Sequence, residues 1–234
     1  MEESRKKLEL SVVIPAYNEE KNIAIIINTV IRSLKKWKIE IIIVDDGSTD
    51  RTVEIIKKLS EKYDFIHLYQ HEKNMGYADA LKTGFQHCKG EFITFIDADL
   101  QNDPRDIPKL LTYGKQGYGA VVGWRKNRKD KIYRLFVSRM YNIFINLLFG
   151  INFPDINGKP KLFRSDVLKD IDIETKQWAI DLELVYKIKK MGYRVIQVPV
   201  EHSIRAGGKP KANMIRGFKT FFNLINYKLK EMYQ

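Results

Sequence analysis

Phe92-Ile93-Thr94-Phe95-Ile96-Asp97-Ala98-Asp99-Leu100-Gln101 is an apolar run that stops abruptly on two carboxylates and an amide. It reads as a buried strand ending in a metal cradle. Around the small Ala98, an extended backbone sends the Asp97 and Asp99 carboxylates off one side, and Gln101 adds a neutral oxygen one step on. Hard oxygen donors of this kind suit Mg²⁺ or Mn²⁺ shared with a phosphate. A lone Asp-X-Asp is more often just the polar end of a strand, so its meaning depends on what the rest of the chain assembles around it.

Upstream, Leu10 to Ile14 is a β-branched apolar run in which Pro15 is expected to end the ladder, and Glu19 and Glu20 lead into a helix. That helix carries Ile23, Ile26, Ile27, Val30, Ile31 and Leu34 at helical spacing. Glu40 to Val44 is a second solid run. Asp45-Asp46-Gly47-Ser48-Thr49-Asp50 then turns into a helix with Val53, Ile55, Ile56 and Leu59 inward, for which Ser48, Thr49 or Asp50 is a candidate cap. Phe65 to Tyr69 is a third strand, Asn74-Met75-Gly76 a turn, and Tyr77 to Cys88 a helix ended by Lys89-Gly90. Solid apolar strands separated by helices predict a single α/β domain, with a mostly parallel central sheet and helices on both faces. Ligands in such sheets sit at the carboxyl ends of the strands. Ala16-Tyr17-Asn18-Glu19, Asp45-Asp46-Gly47, Asn74-Met75-Gly76 and Asp97-Ala98-Asp99 all fall at such ends or in loops returning to them. No Gly-X-Gly-X-X-Gly follows the first strand and no Walker A sequence occurs, which removes the main support for dinucleotide or P-loop readings.

Downstream, Asp103 and Pro104 look like the N-cap and first position of a helix. Ala120 to Gly123 is a short strand ending on Trp124-Arg125. A basic run from Arg125 then passes into a helix over 132–150, whose apolar positions are Ile132, Leu135, Phe136, Met140, Ile143, Phe144, Leu147 and Leu148. This is either a core helix with a solvated face or a helix lying in a membrane interface. Asp155 to Arg164 is a turn followed by an extended piece. Gln177-Trp178-Ala179-Ile180-Asp181 opens a helix from Leu182 to Met191, closed by Gly192, where Asp181 also complements the helix dipole. Val195 to Val200 is a last strand, Arg205 to Lys211 a cationic loop, and 214–234 a second amphipathic segment with Ile215, Phe218, Phe222, Ile225 and Leu229 on one stripe.

The 234 residues suit one domain, 1–234, with no linker or repeat to divide them. Lys and Arg number 41 against 29 Asp and Glu, a net charge of +12, which favours anionic partners such as phosphorylated ligands or membrane surfaces. Signatures of specific nucleic-acid binding are missing, so charge there supports only weak, salt-sensitive contact. Cys88 is the single cysteine, so no intrachain disulfide forms and a cytoplasmic setting is the simplest reading. The charged N-terminus lacks a secretory apolar region. No stretch approaches the roughly 20 apolar residues of a membrane span.

With Pro15-Ala16-Tyr17-Asn18-Glu19, Val44-Asp45-Asp46-Gly47-Ser48-Thr49-Asp50, Asn74-Met75-Gly76 and Asp97-Ala98-Asp99 in this order, the chain resembles the inverting family 2 glycosyltransferases of the GT-A (Rossmann-like) fold. Asp99-Leu100-Gln101-Asn102-Asp103-Pro104, Gly123-Trp124-Arg125 and the Arg205-to-Lys211 loop look like the branch of dolichyl-phosphate mannose synthase and the polyprenyl-phosphate glycosyltransferases. The resemblance implies transfer of a hexose, mannose or glucose, from GDP-mannose or UDP-glucose to a polyprenyl (dolichyl) phosphate, with inversion and dependence on Mg²⁺ or Mn²⁺. It implies that Pro15, Tyr17 and Glu19 line the nucleotide pocket, that Asp46 accepts a hydrogen bond from the base, and that Asp97 serves both nucleotide and metal. Asp99 and Gln101 would be metal ligands, and Arg125, Arg139, Arg205 and Lys211 would grip donor and acceptor phosphates.

Asp181 matches an acidic position that acts as general base in relatives with a hydroxyl acceptor. A phosphate acceptor is already ionised, its second pKa lying at about 6, so here Asp181 would orient rather than deprotonate. The alternative is a related enzyme with a soluble or glycan hydroxyl acceptor and Asp181 as base. The expected location is peripheral, on the cytoplasmic membrane face. Many relatives carry transmembrane helices after this domain. Lacking them, the chain relies on its amphipathic helices and charge, recruits a membrane-anchoring subunit, or is truncated. Pro210 departs from the Ser common in the branch, and no Gln-X-X-Arg-Trp is present to support processive polysaccharide synthesis.

Overall fold

A computed structural model describes residues 7–125, 132–175, 179–201, Ile225 and Lys228. In its first half, strands and helices alternate: β1 (Leu10–Ala16), α1 (Ile23–Ser33), β2 (Ile39–Asp45), α2 (Thr52–Lys62), β3 (Ile66–Gln70), α3 (Tyr77–Gln86) and β4 (Phe92–Phe95). A 3₁₀ turn at Pro104–Asp106 leads into α4 (Ile107–Gly114), β5 (Ala120–Arg125), α5 (Ile132–Phe149), β6 (Lys161–Arg164), α6 (Ser165–Lys169), α7 (Ile180–Lys190) and β7 (Val195–Val200). The strands form one sheet in the order β3-β2-β1-β4-β6-β5-β7. Every pairing is parallel except those of β6, which runs antiparallel to both β4 and β5.

The sheet is covered on both sides, which explains its unalternating strands. Val13, Ile42, Ile93 and Phe95 face one cluster with Leu81, Phe85, Ile145 and Leu184. Val12, Ile41, Phe92 and Ile96 face the other with Ile23, Ile27, Leu110 and Leu111. Asp103 caps the 3₁₀ turn as expected, accepting from the Arg105 N–H at 2.9 Å. None of the three candidates is the N-cap of α2, which is Arg51, though Asp50 just before it accepts from the Thr52 N–H at 3.0 Å. Gly192, with φ +87°, closes α7.

Two expectations are corrected. Pro15 does not end its strand: β1 runs on to Ala16, with Pro15 paired to Val44. The Val13 carbonyl accepts from Ile96 N–H, so Pro15, two residues on, presents its missing donor to the same side, where β4 has already stopped at Phe95. The second correction concerns the residues after Phe95, where the strand stops short of the two carboxylates. The β4–β6 ladder ends at the Phe95–Lys161 pair, and Ala98-Asp99 form a turn followed by Leu100 at φ +63°. The two carboxylates are therefore set by a turn and not by strand alternation.

The helix predicted over 132–150 forms as α5. Asn142 and Asn146 on its inner side hold the 153–156 segment through Pro154 O, Phe153 O and Phe153 N. Its outer side is apolar: Tyr133, Phe136, Val137, Met140, Ile143 and Leu147 are exposed, Leu147 at 82%. No helix among the described residues is long and apolar enough to cross a membrane. The 214–234 segment, apart from Ile225 and Lys228, lies outside the described residues.

Candidate active site

The carboxyl ends of β1 and β2 are joined into one rigid rim by short-range polar contacts. Asn18 N–H donates to Ser48 Oγ at 2.9 Å, Thr49 N–H to Asn18 Oδ1 at 2.8 Å, and Glu19 N–H to Thr52 Oγ1 at 2.9 Å. Asn18 sits at φ +53°, a conformation that its short polar side chain tolerates. Asp46 pins the incoming loop: its carboxylate accepts from Met75 N–H at 2.8 Å and Gly76 N–H at 2.9 Å, and His71 Nδ1 lies 2.8 Å from Oδ1. His71 Nε2 in turn meets Thr83 Oγ1 at 2.9 Å. Gly47, at φ +75°, allows this close approach, since a Cβ there would stand 2.6 Å from the Lys73 carbonyl carbon.

Asp46 is thus a loop anchor already bearing three donors, which limits what it offers a base. Beside it, buried Asp45 accepts from Ser48 N–H at 3.1 Å through Oδ2, while its Oδ1 has no hydrogen-bond partner among the described residues. Pro15 is half-buried at the end of β1, Tyr17 is exposed, and Glu19 is buried against Asn22 Nδ2 at 2.9 Å.

A buried charge network lies across the end of β4. Lys159 Nζ touches both Asp97 oxygens, at 3.0 and 2.8 Å, and the Tyr77 hydroxyl at 2.6 Å, and it lies 3.7 Å from Asp181 Oδ2. Tyr77 OH donates to Asp97 Oδ1 at 3.0 Å. Lys161, with 0% exposure, meets Asp181 Oδ1 at 3.1 Å. A lysine enclosed this way survives only because β6 brings it opposite the first turn of α7, where Asp181 is 2% exposed.

Burial alone would push the Asp181 carboxyl up, but Lys159 and Lys161 outweigh it and hold Asp181 below the usual carboxylate range. Burial likewise opposes charge on Lys159, and Asp181 and Asp97 reverse that and raise its ammonium above its ordinary value. Tyr77 is kept neutral, its phenol raised by burial and by the charges of Asp97 and Asp181. One layer further out, Arg125 is committed to Asp155 through Nε at 2.7 Å and Nη2 at 2.8 Å. The expected phosphate grip by Arg125 would require it to release that partner. Arg139 is exposed on α5, while Arg205 and Lys211 lie outside the described residues.

The turn at Asp99 presents oxygen atoms of the kind a hard divalent cation takes. Asp99 Oδ1 accepts from Gln101 N–H at 3.1 Å, which fixes the amide-bearing residue beside the carboxylate. No group of three or more His, Cys, Asp or Glu among the described residues is disposed to hold a metal. Two carboxylates and an amide still fit a hard divalent cation whose remaining positions are filled by phosphate oxygens and water.

Sequence reasoning missed Lys159, Lys161, Tyr77, His71 and Asp155. A signal was present for the lysines: two cations flanking Pro160 immediately before Leu162-Phe163 in a strand-like run are costly unless opposed by an acid, and Asp181 sits in an equally apolar context.

A family model described as "Glycosyl transferase family 2" matches residues 11–172. The undecaprenyl-phosphate 4-deoxy-4-formamido-L-arabinose transferase of Edwardsiella ictaluri is 30% identical over 219 residues, covering 92% of this chain and 66% of that protein. The dodecaprenyl-phosphate galacturonate synthase of Rhizobium johnstonii is 29% identical over 226 residues, covering 94% and 67%. The chain therefore spans about two thirds of the length of these curated relatives. Among solved structures, mannosyltransferase PcManGT from Pyrobaculum calidifontis in complex with GDP-Man and Mn²⁺ superposes with a TM-score of 0.66 at 24% identity, over 88% of this chain and 59% of that one. Glucosyl-3-phosphoglycerate synthase from Mycobacterium tuberculosis, in complex with Mn²⁺, UDP and phosphoglyceric acid, gives 0.71 at 18% identity, over 94% and 77%. These two likenesses carry the fold: the α/β sheet with helices on both faces is the one expected.

Proposed function

The chain belongs to glycosyl transferase family 2, and from that premise we propose that it transfers a sugar from a nucleotide-activated donor to a polyprenyl phosphate with inversion. The observation that carries the acceptor assignment is the state of Asp181. Buried, held below the ordinary carboxylate range and tied to Lys161 at 3.1 Å, it is a poor proton acceptor. A hydroxyl nucleophile needs a base; a phosphate is already an anion near neutral pH. Two relatives named for undecaprenyl and dodecaprenyl phosphate support the same class of acceptor.

In this reading an acceptor phosphate oxygen attacks the anomeric carbon in line. The bond from that carbon to the donor diphosphate breaks, and its electron pair stays on the diphosphate. Asp99 and Gln101, with Asp97 beside them, hold Mg²⁺ or Mn²⁺, which when bound neutralises charge on the departing diphosphate. Mn²⁺ in the two structural neighbours supports a divalent cation as the cofactor. Pro15, Tyr17, Glu19 and the rim pinned by Asp46 receive the nucleotide. Arg139, Arg205 and Lys211 serve the phosphates, and Arg125 joins them on exchanging Asp155 for phosphate. Asp181 holds the two buried lysines in place, Lys161 at 3.1 Å and Lys159 at 3.7 Å.

The exposed apolar side of α5 meets the membrane surface that carries the acceptor, aided by the net charge of +12. The transferred sugar is a hexose such as mannose or glucose, or a uronic or amino-arabinose derivative like those named for the relatives.

The decisive assay supplies Mn²⁺, a short polyprenyl phosphate and a panel of donors: GDP-mannose, UDP-glucose and nucleotide-activated galacturonate and 4-formamido-arabinose. Formation of a polyprenyl-phosphate sugar is expected. Transfer to a free sugar or a protein hydroxyl, with none to the lipid, overturns the reading.

A further inference from the structure

Asp97 already has a cation. Lys159 Nζ spans both of its carboxylate oxygens within 3.0 Å, and the ammonium is fixed from behind by Tyr77 OH at 2.6 Å and lies over the Tyr77 ring at 4.6 Å. The site is built and not incidental: Lys159 is 6% exposed, on a segment carried across the end of β5 where Gly158 and Gly123 approach so closely that a Cβ on Gly158 would collide with the Gly123 carbonyl oxygen. Like charges cannot share one carboxylate cheaply in a buried setting, so a divalent ion reaching Asp97 must evict the ammonium. An alternative partner stands ready, since Asp181 Oδ2 is 3.7 Å from the same Nζ.

We propose that Lys159 is a resident counter-ion of Asp97 that the divalent metal displaces, so that metal and nucleotide diphosphate bind interdependently. Without a diphosphate, entry of the metal sets two cations against Asp97. With one bound, its oxygens add the negative charge that receives the ammonium, and Asp97 is released to the metal. Lys159 is in this sense a positioning residue that makes the metal edge respond to donor. The inference rests on the reading of Asp97 and Asp99 as that edge.

The test is Mn²⁺ binding by the full chain, followed by the paramagnetic signal of the free ion, without nucleotide and with saturating UDP or GDP. In wild type, whichever nucleotide binds should tighten Mn²⁺ on the order of tenfold or more. Lys159→Met should bind Mn²⁺ alone on the order of tenfold more tightly than wild type, and the gain should shrink to near unity with nucleotide present. A gain of equal size in both conditions is simple removal of a nearby positive charge and overturns the proposal, as does an unchanged or weakened Mn²⁺ affinity.

Tyr77→Phe keeps every charge and removes the hydroxyl that touches both the ammonium, at 2.6 Å, and Asp97 Oδ1, at 3.0 Å. It should shift nucleotide-free Mn²⁺ affinity the same way by a smaller factor, and it carries the test if Lys159→Met fails to fold. Asp99→Ala separates the two levels. Mn²⁺ binding that survives Asp99→Ala undisturbed removes the metal-edge reading and this inference with it. Binding lost in Asp99→Ala but insensitive to Lys159 and Tyr77 removes the inference alone.

Discussion

Asp181 concentrates the chemistry at the residue scale. Replacing it by Asn leaves the fully enclosed Lys161 without its carboxylate, while Lys159 keeps Asp97; breaking a buried pair typically costs about 3–5 kcal/mol, and urea unfolding is expected to register that loss. Its pH signature follows from the direction of its shift. A carboxyl whose folded value lies below its unfolded value of about 3.9 contributes stability that is complete above that pH and is lost as pH falls through the folded value. Lys159, raised in the folded state, contributes stability present below about 10.4 and lost only as pH climbs through its folded value. The urea midpoint is therefore expected to be insensitive to these two groups from about pH 5 to 9 and to fall in acid below about pH 4.

In activity, the acid limb of kcat/KM is expected at about pH 6, from the acceptor phosphate, and to persist in whatever folded fraction of Asp181→Asn is recovered. A limb that vanishes with that substitution would restore Asp181 as a base. Cys88, buried and with its thiol pushed up to about 12, is expected to resist alkylation in the folded protein.

Among the elements, α5 is the one whose two sides answer to different surroundings. Its inner side holds the 153–156 segment through Asn142 and Asn146, and that segment leads directly to Lys159. Asn146→Ala removes the partner of both Phe153 N–H and Phe153 O. A loss of about 1–3 kcal/mol is expected in urea unfolding. The outer side, with Phe136 at 65% and Leu147 at 82% exposure, has no physical reason to be apolar in water alone. Phe136→Glu with Leu147→Glu should leave far-UV circular dichroism unchanged and lower cosedimentation with anionic vesicles by roughly tenfold or more, since each large apolar side chain buried is worth about 1.5–3 kcal/mol. Unaltered cosedimentation would locate membrane contact elsewhere. β6 shows how an element imports function: as the antiparallel insertion in a parallel sheet, it is what sets Lys161 opposite Asp181.

Over the whole molecule, charge and topology act together. A net charge of +12 draws the chain to anionic surfaces, so vesicle binding should weaken as ionic strength shortens the screening length to about 8 Å at 0.15 M. The order β3-β2-β1-β4 brings the ends of the first strands to one rim; the convergence was legible in the linear chain, the order was not. Unbroken runs such as Ile41-Ile42-Ile43-Val44 require cover on both faces, and polar clusters at their carboxyl ends are where such a sheet binds ligands. The motif order from Pro15 to Gln101 likewise pointed to the family that the 11–172 match establishes.

Local pattern determined these features because they depend on residues close together in sequence: a period, a turn, a cap. It could not reveal that the chain turns at Ala98-Asp99, because β4 ends opposite the start of its partner β6, 66 positions away at the Phe95–Lys161 pair. Nor could it reveal that Lys159, Tyr77 and Asp97 meet, that Arg125 closes on Asp155, or that Asp46 is spent on Met75, Gly76 and His71. Those pairings are contacts between charges remote in sequence, and their sign and strength come from burial. Sequence alone determined the sheet, its rim and its family; only the tertiary structure decided which charges meet there, because only enclosure makes a lysine and a carboxylate need each other.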